Sequence, residues 1–493
     1  MHTKHRGSIL IIATICALLL IMLGCGNPAA SAEPKPKAVS GTTDFTAYDF
    51  EKDGTISLDG EWEFYWEELL ELSDLQDVRT LKKQYIRVPG SWNKYDWNNS
   101  RLTGNGCATY VLTLKLPDNI DSLALKLPRM FTAYTLSLDD TLLTSSGKVA
   151  ADKELSVPQY YPKVITLNPV DTNVKLIVQV SNYFHRSGGM LEGIKLGTET
   201  QIFKTRENHI ALELFQFGCL MIMGIYHIFL YLFRKKNRQP FYFGLYCVLI
   251  AIRTLFVGEI FIIQLFPNFN WEIQHKIQTL TFYIGVPIFT QFIMSVFPDD
   301  FPKKALKFTQ ITGSCFSLFV LLMPARIFTV VNPGFQLFTA VVIVFVLYTL
   351  TLACARRRKG APLIAFGCVV FIVTALNDIL FLSVPFNDYT LTFFRSIITT
   401  GNLSSFGLIV LVFTQSIVLA TNFSKAFTAV EVMSKKLITA DRQKDELLYS
   451  LEAKVQERTA ELKQSNSDLE TALKKLSKAE SSRKQLLTNI SMI

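Results

Sequence analysis

No two of the eight cysteines (Cys16, Cys25, Cys107, Cys219, Cys247, Cys315, Cys354 and Cys368) stand in C-x-x-C spacing. That excludes a zinc or thiol-redox site built on such a pair. Between the N-terminal apolar run and residue 205 there is only Cys107, so no disulfide framework staples that region. Charge is scarce as well: Asp, Glu, Lys and Arg make up 18% of the chain, against 49% hydrophobic residues and 38 Phe. Such a composition argues against an ordinary soluble protein and for a large membrane-embedded part. The net charge of +9 does not signal nucleic acid, because the basic residues cluster between apolar runs, as in RKKNR and RRRK. Membrane proteins use such clusters to fix orientation. Histidine is sparse too, and none of the six follows His275.

What is present falls into four stretches. Residues 1–32 place a basic start before an apolar run and then small residues, the layout of a secretory signal peptide. Ala30 and Ala32 offer a cleavage site before Glu33; lipid attachment at Cys25 and an uncleaved anchor are the alternatives. Residues 33–205 hold short alternating runs such as YVLTLKLP and VKLIVQVSNY, separated by Pro, Gly, Asn and Asp. Period-two patterning with frequent turns predicts an antiparallel β-sandwich.

Residues 206–423 contain seven apolar stretches: 209–232, 241–265, 277–298, 309–330, 335–354, 362–385 and 397–420. Each is near the ~20 residues that cross a bilayer. Loops after odd-numbered spans hold eleven basic residues, including Arg234, Lys303 and Arg356, whereas the even-numbered ones hold Lys276, Arg326 and Arg395. The asymmetry predicts the N-terminal domain outside and the C-terminus in the cytoplasm. In residues 424–493, Leu448, Val455, Leu462, Leu469, Leu476 and Ile490 recur on a seven-residue period, interrupted at Arg483. Leu451, Ala472, Ala479, Leu486 and Ile493 supply the companion positions, weakened at Arg458 and Ser465. That pattern predicts a parallel dimeric coiled coil, a single solvated helix being the plainer alternative.

The stretches ISLDGEWEFYWEELL, RVPGSWNKY, LPRMFTAYTLSLDDTLLTSSGKV and VSNYFHRSGGM resemble the extracellular domain of bacterial seven-transmembrane receptors with diverse intracellular signalling modules. The resemblance implies an all-β jelly roll, itself similar to the galactose-binding-like sugar-binding domain of family 2 glycoside hydrolases. It also implies a seven-helix bundle, a plasma-membrane location and an outer ligand, a carbohydrate or another polar small molecule. Aromatic faces stack on sugar C–H surfaces while Arg, Asn and Asp hydrogen-bond hydroxyls. Trp92, Trp97, Arg129, Tyr134, Asn182, His185 and Arg186 are the candidates. Several of these aromatics equally suit the core, as Trp62, Phe64 and Trp66 do along one strand. Within the spans, Arg253, Glu259, Asn377 and Asp378 are expected to form a polar network, either signalling or purely structural.

The segment LEAKVQERTAELKQSNSDLETALKKL, followed by RKQLLTNIS, resembles the helix that leads into histidine-kinase dimerisation domains. Met492 occupies the slot of the phosphoacceptor histidine in that resemblance, and no nucleotide-binding segment follows. Phosphoryl transfer needs both. The expectation is therefore a sensor truncated before its kinase, not an enzyme as given, with no cofactor, metal or nucleic-acid partner. A fragment of a two-component sensor kinase is the runner-up, and a transporter or channel comes third. A glycosidase lacks a catalytic domain for its paired carboxylates.

Overall fold

Alternation in the first two hundred residues builds two main sheets and a small two-stranded one. The computed structural model describes residues 35–76, 82–118, 122–169, 171–381, 401 and 403–490. The expected signal peptide with Ala30, Ala32 and Cys25, the loop residue Arg395, and Met492 lie outside the described residues. The strands are β1 Thr42–Asp44, β2 Ile56–Ser57, β3 Gly60–Trp66, β4 Gln84–Val88, β5 Asp96–Trp97, β6 Ser100–Arg101 and β7 Gly106–Lys115. They continue with β8 Leu123–Leu127, β9 Ala133–Leu138, β10 Thr141–Ser146, β11 Lys163–Leu167, β12 Asn173–Asn182 and β13 Lys195–Thr198. One main sheet runs β10-β9-β12-β7-β3-β4 with β1 parallel to β7, the other runs β11-β8-β13-β2, and β5 pairs with β6 in the small one.

Every second residue of the central strands points between the sheets, as a period of two demands. Tyr110, Leu112 and Leu114 of β7 and Leu176, Val178 and Val180 of β12 meet Leu123, Leu125 and Leu127 of β8 in one core. Trp62, Phe64 and Trp66 all join it. The outer face of the large sheet is covered at Val111 and Ile177 by Leu70 and Leu75. That cover is tied down by Leu70 N–H donating to Thr109 Oγ1 at 2.9 Å and Gln179 Nε2 donating to Leu70 O at 3.1 Å. The N-terminal domain is thus β-sandwich-like.

The last strand feeds directly into the first long helix. After the four-residue α1 (Phe50–Asp53), helix α2 covers Glu199–Phe233 and opens on a capping box between Thr198 and Gln201. Then come α3 Gln239–Thr254, α4 Phe261–Leu265, α5 Trp271–Val296, α6 Lys303–Leu322, α7 Ala325–Phe328, α8 Asn332–Ala355, α9 Ala361–Phe381 and α10 Ser404–Ile490. Six helical runs among the described residues are long and apolar enough to cross a membrane. Helices α2 and α3 approach backbone to backbone at Gly224 and Gly244, where an added Cβ would press on the partner's carbonyl oxygen. Small residues allow that approach between membrane helices.

The span expected at 241–265 is not one helix. Helix α3 ends at Thr254, and the chain turns through Gly258 and Ile260, both at positive φ, before the short α4. Sixteen residues rise about 24 Å, short of the ~30 Å hydrocarbon core. Arg253, expected mid-span, therefore sits in the last turn of α3. The span expected at 309–330 is α6 at Lys303–Leu322, bounded by Pro302 and Pro324. At the other end of the helices Asp300 accepts from Arg356 at 2.6 Å and Arg358 at 2.9 Å, clasping the α5–α6 and α8–α9 turns together.

The chain divides into a unit through Ser416 and a second unit, Ile417–Ile493. In the second, Leu448, Val455, Leu462, Leu469 and Leu476 are 48–67% exposed.

Candidate functional site

The loop after β12 is built around one amide. Asn182 Nδ2 donates to Gly104 O at 2.6 Å and to His185 O at 2.8 Å, and its Oδ1 accepts from the N–H of Phe184 and His185. Both ends of the side chain are occupied, so Asn182 shapes the loop and offers no group to a ligand. Gly188 lies against the ring of Trp92, where a Cβ would overlap it. Trp92 itself is buried and its Nε1 donates to Thr103 O at 2.9 Å. The loop is therefore moulded on the sandwich core, and it presents His185 and Arg186 to the helices.

There the two parts of the first unit join through rings. Phe131 packs on Tyr160 at 5.1 Å and on His185 at 4.6 Å. Tyr160 meets Trp271 at 5.3 Å, and His185 meets His275 at 5.6 Å. His275 is also stacked between Trp271 and Phe328, each at 5.5 Å. Trp271 and His275 belong to the first turns of α5, so the sandwich rests on the near end of that helix. Burial pushes the imidazole of His185 down to about 3, with Arg186 and Arg129 opposing its charge as well, although its bond to Ser187 resists this.

Below the rings is a cavity of about 230 Å³. Arg129, Phe131, Tyr160, His185 and Arg186 form its sandwich wall. The remaining wall comes from α3, α5, α8, α9 and the start of α10, including Arg253, Gln278, Asn332 and Asp378. Arg129 Nε donates to Glu192 Oε1 at 3.0 Å. Arg253 donates to the backbone oxygen of Gln278 and to Thr281 Oγ1 at 3.3 Å. Asp378 accepts from the N–H groups of Leu403 and Ser404, both at 2.8 Å, and so caps α10.

These helices carry the comparison that matters most. Residues 209–422 match the family described as 7TM diverse intracellular signalling. The match spans less than half of the chain and makes its helical part similar to this family; with the six long apolar helices among the described residues it supports a multi-pass membrane protein. Among curated proteins no match is found. Among solved structures, a GH2 β-galacturonidase from Eisenbergiella tayi bound to glycerol is 17% identical, with a TM-score of 0.21. The similarity covers 29% of this chain and 24% of that one. A β-glucuronidase from Ruminococcus gnavus is 13% identical with a TM-score of 0.23, covering 29% and 28%. A putative β-galactosidase from Bacteroides fragilis is 13% identical with a TM-score of 0.22, covering 29% and 22%. The match thus spans about a quarter of the length of these enzymes, and their activities do not transfer to it.

The expected site residues separate. Arg129, His185, Arg186, Arg253 and Asp378 converge on the cavity wall. Trp92 and Tyr134 have no exposed surface and belong to the sandwich core, and Trp97 packs partly buried against it. Asn377 is placed beside Asp378, its Nδ2 3.4 Å from the carboxylate.

Glu259 goes elsewhere, because the turn after α3 carries it to the sandwich. It pairs with Lys126 of β8, with His209 at 3.4 Å and with Arg206 at 4.0 Å. Its own N–H donates to Glu213 at 3.2 Å. Burial alone would raise its pKa, but His209 and Lys126 hold the carboxyl below the usual range. No single network of Arg253, Glu259, Asn377 and Asp378 forms among the described residues. Two separate polar sites replace it, one lining the cavity and one clamping the sandwich to α2 and the α3–α4 turn.

Sequence reasoning missed Tyr160, His275, Gln278 and Asn332. The signal for two of them was present: Trp271, His275, Gln278 and Phe282 follow i, i+4, i+7, i+11 spacing, one polar-aromatic face of α5.

Proposed function

We propose that the chain is a bacterial plasma-membrane receptor that senses an extracellular small molecule and relays its binding through the helices to a dimeric cytoplasmic coiled coil. In this reading the chain catalyses nothing itself and takes no cofactor. The observation that carries it is a single cavity walled by both the sandwich and the helices. A ligand there touches both, and so has the differential contact that shifting a conformational equilibrium requires. Asp378, in the same wall, caps α10, the helix that also bears the heptads. The exposed leucine seam of residues 448–476 supports pairing with a second copy.

The test uses the full chain in lipid nanodiscs, screened against sugars and small carboxylates by thermal shift. A true ligand raises the melting temperature with concentration. It also protects both 183–190 and 275–290 from hydrogen exchange and changes cross-linking between cysteines placed on the heptads. A binder that protects the sandwich loop alone rules out the shared site.

A further inference from the structure

The cavity has an unequal charge balance and a direction. Among the described residues three guanidinium groups, Arg129, Arg186 and Arg253, enter its wall against one carboxylate, Asp378. That carboxylate is already engaged by two backbone N–H groups, and Arg129 is engaged by Glu192. Arg186 keeps a buried Nε that meets no hydrogen-bond partner among the described residues. Arg253 bonds only to neutral oxygens among them. With Glu192 answering Arg129 and Asp378 balancing the charge of Arg253, one guanidinium charge is left over among the described residues; burying it is costly, and an anion relieves the cost.

Along α5 the lining runs from His275 to Phe289, an advance of about 21 Å. Its far part is apolar, walled by Phe289, Val342, Val346, Phe371 and Ile372. The space of about 230 Å³ far exceeds the ~10–15 Å³ that one water needs. A polyol matches the near end but strands its hydroxyls at the far one. A cation is repelled by the arginines.

We infer that the cavity binds a small amphipathic carboxylate, its charged end between Arg186 and Arg253 and its hydrocarbon body toward Phe289, Val346 and Phe371. Guanidinium groups suit this because their fork meets a carboxylate through two parallel hydrogen bonds. The inference rests on the receptor reading and names the chemistry of that receptor's ligand. Such an acid reaches the cavity either from water or from the bilayer.

The probe is octanoate, titrated onto the full chain in phosphatidylcholine nanodiscs by calorimetry, with 1-octanol and octylammonium in parallel. Octanoate binds saturably, octanol at least about tenfold more weakly, and octylammonium not at all. Arg186→Gln weakens octanoate by about tenfold or more, the scale of one lost charge-assisted hydrogen bond. Ala375→Phe, which fills part of the wall without touching charge, weakens octanoate and octanol together. Size-exclusion profiles and circular dichroism check that both variants are folded. Oleate placed in the bilayer distinguishes the sources: competition with octanoate assigns a membrane-borne acid, and its absence an aqueous one. Octanol binding as tightly as octanoate overturns the inference. So does unchanged octanoate binding in both variants, or no saturable binding at millimolar concentration. None of these touches the receptor reading. Saturable binding with no change in heptad cross-linking does the reverse, upholding the site and removing the relay.

Discussion

Replacing Lys126 by Met while leaving the rest of the Glu259 cluster intact asks how firmly the sandwich is fixed to the helices. The side chains of Lys126 and Glu259 are 14% and 5% exposed, so their contact is shielded from solvent. In Lys126→Met, Glu259 keeps His209 and Arg206. The cost should be that of one hydrogen bond to a charged group, about 1.5–3 kcal/mol. Glu259→Gln instead strands Lys126 beside Lys195, whose ammonium is already disfavoured by burial and then by Lys126. Stranding a buried charge costs more, about 3–5 kcal/mol. The double variant removes the stranded charge and should recover about 1.5–3 kcal/mol of the summed losses. The assay is hydrogen exchange of residues 123–127 and 255–266 in nanodiscs, which reads local opening at the junction. If the two changes add to within about 0.5 kcal/mol, the contact does not couple the two parts and the reasoning is refuted. The junction should also loosen in acid. Glu259 has a depressed folded pKa, so its contribution is present above the ordinary carboxylate range and is lost as pH falls through the folded value.

Three further outcomes are expected. His185 is held neutral to about pH 3, so the unfolded chain takes up its proton first. Its contribution is full above about 6.5 and erodes as pH falls, by up to about 1.4 kcal/mol per pH unit. His185→Gln should flatten that part of a stability–pH profile followed by tryptophan fluorescence; an unchanged slope speaks against a buried neutral imidazole. Gly188→Ala drives a methyl group into Trp92 and should lower the melting temperature by an overpacking cost of about 1–3 kcal/mol. Because Gly188 follows Arg186 closely, that variant should also increase proteolysis within 183–190, and a fully protected loop contradicts the moulding described. Leu462→Asp places a charge in the centre of the heptad seam and should raise the dimer dissociation constant of the full chain at least about tenfold, measured by density-matched sedimentation. Dimers as stable as before would indicate pairing through another surface.

Strands were legible because each rests on a local period, and most helical spans because each is a long unbroken apolar run. Alternation in Tyr110–Leu114 and Leu176–Val180 dictates which face meets the core, wherever the partner strand comes from. The break after Thr254 was hidden because Phe256, Val257 and Ile260–Ile263 keep the stretch apolar on both sides of it. Composition does not reveal a positive φ at Gly258 and Ile260. Aromatic candidates were ambiguous for a chemical reason: Trp92 and Tyr134 satisfy a ligand platform and a sandwich core equally well, and burial decides for the core. The polar loop residues His185 and Arg186 stood out in the sequence as a glycine-rich polar cluster, and the structure places both in the cavity wall. Their meeting with His275, Arg253 and Asp378 depends on packing across long stretches of chain, which no local pattern encodes.

The shortness of α3 has a mechanical side. A helix of about 24 Å beside a hydrocarbon layer of about 30 Å obliges the bilayer to thin around it, or the following turn to dip into lipid. Each ångström of mismatch costs a fraction of a kcal/mol. That turn carries Glu259, whose far partner, Lys126, belongs to the sandwich. With α3 lying in the bilayer beside the longer helices, a thicker membrane would load the clamp and a thinner one would unload it.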